Sequence, residues 1–97
     1  MRDNLYSNWS VSGLLAQLSD FRRADNGNDL LAFRLVGTLP YRSVYVYLYG
    51  EDPDLIRFDL EDESAPTGEW DHAVHRGSVR SVEELQSVVC SWLKGEG

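Results

Sequence analysis

Hydrophobic and polar residues alternate most strictly between Tyr41 and Asp62. In the first run Val44, Val46 and Leu48 fall on one side, and Tyr45, Tyr47 and Tyr49 on the other. Beyond the acidic, proline-containing stretch Gly50–Asp54, Ile56, Phe58 and Leu60 share a side, opposed by Arg57, Asp59 and Glu61. A period of two is that of a strand, so the pattern predicts a β-hairpin with one aliphatic face and one tyrosine-plus-charge face. Taking Gly50–Asp54 as the whole turn pairs Tyr47 with Arg57, Tyr45 with Asp59 and Tyr49 with Leu55. The buried row is then Leu48–Ile56, Val46–Phe58 and Val44–Leu60, with Arg34 flanking Tyr45 from a preceding strand. Arg57 stacked on Tyr47 would add a cation–π contact worth about 0.5–1 kcal/mol.

The remaining patterns complete the fold. Residues 1–9 show no period and read as an arm, docked by Tyr6 and Trp9. Ser10 or Ser12 can cap a helix whose apolar face is Val11, Leu14, Leu15, Leu18 and Phe21. Arg22 and Arg23 suit its last turn, and Asp25-Asn26-Gly27-Asn28-Asp29 stops it. Leu30–Val36 reads as the first strand, with Leu31, Phe33 and Leu35 in one row and Ala32, Arg34 and Val36 in the other. After the hairpin, Ser64–Gly68 is a turn, and Glu69–Val79 alternates less cleanly as a fourth, edge strand. Ser81-Val82-Glu83-Glu84 is a capping box that opens a second helix. Its stripe is Val82, Leu85, Val89 and Trp92, with Val88 and Leu93 beside it, and Lys94-Gly95 closes it. The order α-β-β-β-β-α, with connections too short for crossover helices, predicts a four-stranded antiparallel meander. Both terminal helices should cover one face of that meander, giving a two-layer α+β sandwich in a single domain spanning residues 1–97.

Composition narrows the partners. The 97 residues are 42% hydrophobic and 11% aromatic, enough for a packed core. Sixteen acidic against nine basic residues give a net charge of −7, which opposes nucleic-acid and anionic-membrane binding and favours basic partners. Nine of the acids lie between Glu51 and Asp71. No apolar run reaches spanning length, no secretory signal is evident and Cys90 is the only cysteine, so a cytoplasmic location is expected.

Several familiar chemistries do not fit the residues. Asp25–Asp29 lacks the spacing of a calcium loop, whose twelfth position here would be Val36. His72 and His75, three apart on a strand, point to opposite faces and cannot converge on a metal. Cys90 flanks the apolar stripe of the second helix and reads as a packed thiol. Double-stranded-RNA-binding domains share a helix–three strands–helix order but need basic residues where Ser81-Val82-Glu83-Glu84 stands. No phosphate loop, nucleophile elbow or zinc motif occurs, and no cofactor is expected.

What remains is surface. Tyr45, Tyr47 and Tyr49 with Arg34, Arg57, Asp59 and Glu61 form a face rich in the residue types that anchor protein interfaces. Glu51, Asp52, Asp54 and Asp62 add an acidic neighbourhood. The expectation is a non-enzymatic domain that inhibits or neutralises a larger basic protein, as an immunity protein, antitoxin-like inhibitor or phage counter-defence factor would. Two alternatives stand beside it: a homodimeric structural or regulatory subunit associating through the tyrosine face, and a small enzyme or ligand-binding domain with a pocket near Trp70, His72 and His75.

Overall fold

The sheet follows directly from the alternation. In the computed structural model, which describes residues 9–24, 31–49, 52–64 and 73–95, two helices pack on one face of a five-stranded antiparallel sheet. The elements run α1 (Val11–Gln17), β1 (Arg22–Arg23), β2 (Ala32–Val36), β3 (Arg42–Tyr47), β4 (Ile56–Asp62), β5 (Ala73–Val79) and α2 (Val82–Lys94). Strand order equals chain order, a meander built from hairpins. The coarse class is the expected one; the strand count is five rather than four.

The added strand corrects the expected end of the first helix. Leu18 caps α1, its amide donating to the carbonyls of both Leu14 and Leu15, and Phe21 N–H closes a turn on Leu18 O at 3.1 Å. Arg22 and Arg23 then pair with Val36 and Leu35 instead of forming a last helical turn. The open side of β2 offers ladder partners that a frayed helix end lacks, and Ala24 N–H donates to Arg34 O at 2.8 Å to extend the pairing. A two-residue strand has no alternation to read, so the pattern could not announce it.

The hairpin register matches the expected one from Val44–Leu60 to Tyr47–Arg57. Leu48–Ile56 and Tyr49–Leu55 fall outside the ladder, since β3 ends at Tyr47; on the other side Leu48 N–H donates to Leu31 O at 2.7 Å, continuing the register with β2. The fourth strand of the sequence reading corresponds to β5, at the sheet edge as expected. A register shift beside Leu60 leaves Val74 as the extra residue, which explains the poor alternation there. Glu51, the arm before Trp9, the Asp25–Asp29 loop and the stretch 65–72, with Trp70 and His72, lie outside the described residues.

One apolar cluster holds the layers together. Phe33, Leu35, Val44, Val46, Leu48, Ile56 and Phe58 from the sheet meet Val11, Leu14 and Leu18 of α1 and Leu85, Val89 and Leu93 of α2. Leu85, Val89 and Leu93 recur every four residues and are fully buried, so they, rather than Trp92, form the centre of the stripe. Trp9 packs against the cluster. Leu31 and Leu60 are only half-buried, Leu60 because the helices leave it at the wall of a cleft. Both helix starts are capped. Ser10 Oγ accepts from Gly13 N–H at 3.1 Å, and Ser81 Oγ from Glu84 N–H at 3.2 Å. The Glu84 carboxylate reaches back to Arg80 N–H at 3.2 Å, one residue earlier than the standard box.

A second device ties α2 to the sheet. Trp92 Nε1 donates to the carbonyls of Ser43 at 3.0 Å and Glu61 at 3.2 Å, which face each other across β3 and β4. The Arg42 guanidinium lies 4.1 Å above the indole ring, and its Nη1 donates to Trp92 O at 3.2 Å. Replacing Trp92 by Phe keeps the ring and removes the bifurcated donor. Urea denaturation is expected to show a loss of about 1–3 kcal/mol, against about 2–5 kcal/mol for the core truncation Leu85→Ala. A Trp92→Phe protein as stable as wild type would show that the indole bonds contribute nothing.

Candidate functional site

Cross-strand pairing assembles the sheet face that points away from both helices. One row across it is Ala32–Tyr47–Arg57–Ser78, the next Arg34–Tyr45–Asp59–Arg76, and the third contains Val36, Ser43 and Glu61. The pleat therefore brings Arg34, Tyr45, Tyr47, Arg57, Asp59 and Glu61 onto one surface. Tyr49 continues it past the end of β3.

The three tyrosines form a column. Tyr45 and Tyr47 stack with centroids 5.7 Å apart, and Tyr47 and Tyr49 lie 5.2 Å apart at a tilt of 37°, both within the favourable aromatic range. Leaning on one another, Tyr45 and Tyr47 are only half-exposed, while Tyr49 keeps 42% of its surface open. The cation over the column is Arg34, 5.0 Å from the Tyr45 centroid. Among the described residues Arg57 makes no such contact with Tyr47. Arg57 acts on Tyr47 through charge instead.

Charged side chains brace the column. Glu61, with a side chain only 16% exposed, accepts from Arg34 Nε at 2.8 Å and Nη2 at 3.3 Å, and from Ser43 Oγ at 2.9 Å. Ser43 is itself buried, so its hydroxyl needs this partner. Asp59 stands between the Tyr47 hydroxyl, at 3.5 Å, and Arg76 Nε, at 3.6 Å. Burial, and then the Asp59 carboxylate, push the Tyr47 phenol above its ordinary pKa, while Arg57 pulls the other way. Arg76 and Ser43 escaped the sequence reading. Ser43 sits on the tyrosine side of β3 by simple alternation, whereas Arg76 becomes visible only once the bulge at Val74 sets the register of β5.

Of the other expected acidic residues, Asp52 and Asp54 lie at one end of β4 and Asp62 at the other. Asp52 and Asp54 sit in the β3–β4 turn, where Asp52 Oδ1 accepts from Asp54 N–H at 2.9 Å and Asp52 Oδ2 lies 3.5 Å from Arg80. Asp62 stands at the far end of β4, a strand length of about 20 Å away. It caps the next turn by accepting from the backbone and hydroxyl of Ser64, lies 3.8 Å from Arg42, and titrates below the usual carboxylate range chiefly through the Ser64 hydroxyl bond. Asp52 and Asp62 thus shape turns as well as carrying charge.

On the helix side, a cleft of about 540 Å³ opens between α2 and the β4–β5 edge. Phe58, Leu60 and His75 line its sheet wall, Val88, Ser91 and Trp92 its helix wall. His75 therefore does adjoin a pocket. Among the described residues no group of three or more metal-ligating side chains gathers there or elsewhere, and no described helix is long and apolar enough to cross a membrane.

No family model, curated protein or solved structure matches the chain.

The Tyr47 shift has a sign. A phenol whose pKa is higher folded than unfolded contributes stability that is complete below the unfolded value, near pH 10, and is lost as pH rises through the folded value. Wild-type stability is expected to fall as pH rises above about 10 more steeply than that of Tyr47→Phe, as urea melts at increasing alkaline pH would record. Parallel curves would remove the coupling between Tyr47 ionisation and the fold.

Proposed function

We propose that the chain is a non-enzymatic protein-binding domain that neutralises a larger basic protein through the outer face of its sheet. An immunity protein, an antitoxin-like inhibitor or a phage counter-defence factor would act this way. The observation that carries the reading is the column Tyr45–Tyr47–Tyr49 on the sheet face opposite both helices. Tyrosine buries a large, rigid area at low entropic cost and keeps a hydroxyl for polar contact, which is why such residues dominate interface energetics.

The surroundings of the column suit this role. Asp59 and Glu61 already have intramolecular partners, so they hold the aromatic rings in place and supply a polar rim. Long-range attraction then comes from the net charge of −7, which raises the encounter rate with a basic protein and is screened by salt. The reading extends to a cytoplasmic protein that takes no cofactor and makes no direct contact with nucleic acid.

The test is capture of the partner from native lysate, identification by cross-linking, and binding kinetics with purified components. Tyr47→Ala with Tyr49→Ala should weaken the complex about thirtyfold or more, mainly through faster dissociation. Glu63→Lys with Glu83→Lys, two exposed positions, should slow association and flatten its dependence on salt. Undiminished binding by the tyrosine variant would overturn the reading. Sedimentation of the free protein as a tight dimer that Tyr47→Ala dissociates would replace it with self-association.

A further inference from the structure

The cleft between α2 and the β4–β5 edge is a second surface, on the opposite side of the sheet from the tyrosines. We propose that it binds a small arylalkyl carboxylate, whose aromatic body lies on Phe58 and Leu60 and whose carboxylate meets Arg42.

Size and lining favour a small molecule over a protein. A volume of about 540 Å³ falls within the roughly 300–1,000 Å³ of ordinary ligand sites. Nine described residues line the cleft, whereas a protein interface engages about 20–30 on each side. Its body is apolar and partly aromatic. Phe58 and His75 set their rings 6.2 Å apart on the sheet wall, and Val88 and Trp92 stand on the α2 wall. A flat ring between these walls gains edge and face contacts that an alkyl chain lacks. Ser87 and Ser91, both exposed on α2, add hydroxyls at the rim.

Arg42 selects the head group. It carries the only permanent charge among the described lining residues, none of which is acidic. Arg42 pairs with Asp62, and Val44 with Leu60, so Arg42 belongs to the next helix-side row beyond Leu60, about 7 Å along the strands. A carboxylate one or two bonds from a ring seated on Leu60 reaches that row. The Arg42 guanidinium is anchored but far from saturated. Nη1 donates to Trp92 O at 3.2 Å, and the Trp92 ring supports the group at 4.1 Å. Nε is buried with no hydrogen-bond acceptor among the described residues. Asp62 Oδ2 stands off at 3.8 Å, while its Oδ1 is engaged by Ser64. Asp62 thus weakens long-range attraction and leaves hydrogen-bond geometry to decide the affinity. A guanidinium has five donors and takes a carboxylate through two of them. With its side chain only 25% exposed, Arg42 is pre-organised for that contact, and partial burial strengthens the bond.

The probes are phenylacetate and naphthylacetate, their neutral primary amides, and phenethylamine. Each is titrated to about 10 mM into the intact, isotope-labelled protein and followed by backbone-amide and indole chemical shifts. The acids are expected to saturate the protein with Kd of about 1 mM or below, moving the Trp92 indole N–H and the Ser91 amide most. The amides and the amine should bind about tenfold or more weakly. Arg42→Gln should lower acid affinity to that of the amides and leave amide affinity unchanged. Ser91→Trp fills the cleft from an exposed position and should abolish binding of acids and amides alike, with an unchanged circular dichroism spectrum. The acid–amide comparison is made on the wild-type chain, so it holds whether or not Arg42→Gln folds. Three results would overturn the proposal: no saturable shift with either acid, equal affinity of acids and amides, or acid binding that survives Ser91→Trp.

Discussion

The register of β3 against β4 is the constraint on which both surfaces depend. Val46 lies opposite Phe58, and Val44 opposite Leu60, toward the helices; Tyr45 opposite Asp59 and Tyr47 opposite Arg57 face away. A slip of one residue would turn every one of these side chains to the wrong side. Burial of the aliphatic row against Leu85, Val89 and Leu93 makes that slip prohibitive, since each fully buried aliphatic or aromatic side chain contributes on the order of 1.5–3 kcal/mol. The tyrosine column is thus fixed from behind. Its position is a by-product of core packing, while its chemistry is unconstrained by the core.

The same sheet offers two unlike faces because the helices cover it unevenly. α1 and α2 close over the middle strands, where Phe33, Leu35, Val44 and Val46 are fully buried. Toward β5 the cover ends, Leu60 is half-exposed, and the Phe58 ring fills the space over Gly77. On the other side, the polar network of Glu61, Arg34 and Ser43 compensates a hydroxyl that would otherwise be buried without a partner. The acidic character of the chain divides accordingly. Glu61 and Asp59 stabilise the sheet surface, Asp52 and Asp62 shape turns, and Glu84 closes the start of α2.

Much of this was legible in the sequence, for a physical reason. Where one face of an element is buried and the other wet, alternation or a helical stripe records it, and the β3–β4 ladder, the Ser81 cap and the α2 core follow. Features that depend on pairing with a distant segment leave no such record. Arg22 and Arg23 looked like a helix end because a two-residue strand has no period. Arg76 could not be assigned to the tyrosine face because the extra residue at Val74 breaks the count. The Arg34–Tyr45 stacking was half visible: their adjacency followed from the pattern, but the cation–π contact was assigned to Arg57, since the mutual stacking of three rings is a property of packing rather than of spacing. The cleft at His75 depends on where α2 ends its cover, which no local pattern encodes.

The Trp92 clamp has a consequence for the order of assembly. The hairpins of the meander join strands that are near neighbours in the chain, whereas the indole bonds reach across 49 and 31 residues to Ser43 and Glu61. Closing a long loop costs more entropy than closing a hairpin, and contacts of that span form late. The ladder between β3 and β4 is therefore expected to exist before the indole finds its two carbonyls. Those carbonyls belong to facing residues of adjacent strands, so the clamp can close only on a hairpin whose register is already correct. Trp92 in this sense acts as a proofreader: it adds its stabilisation to the correctly paired sheet and withholds it from a slipped one.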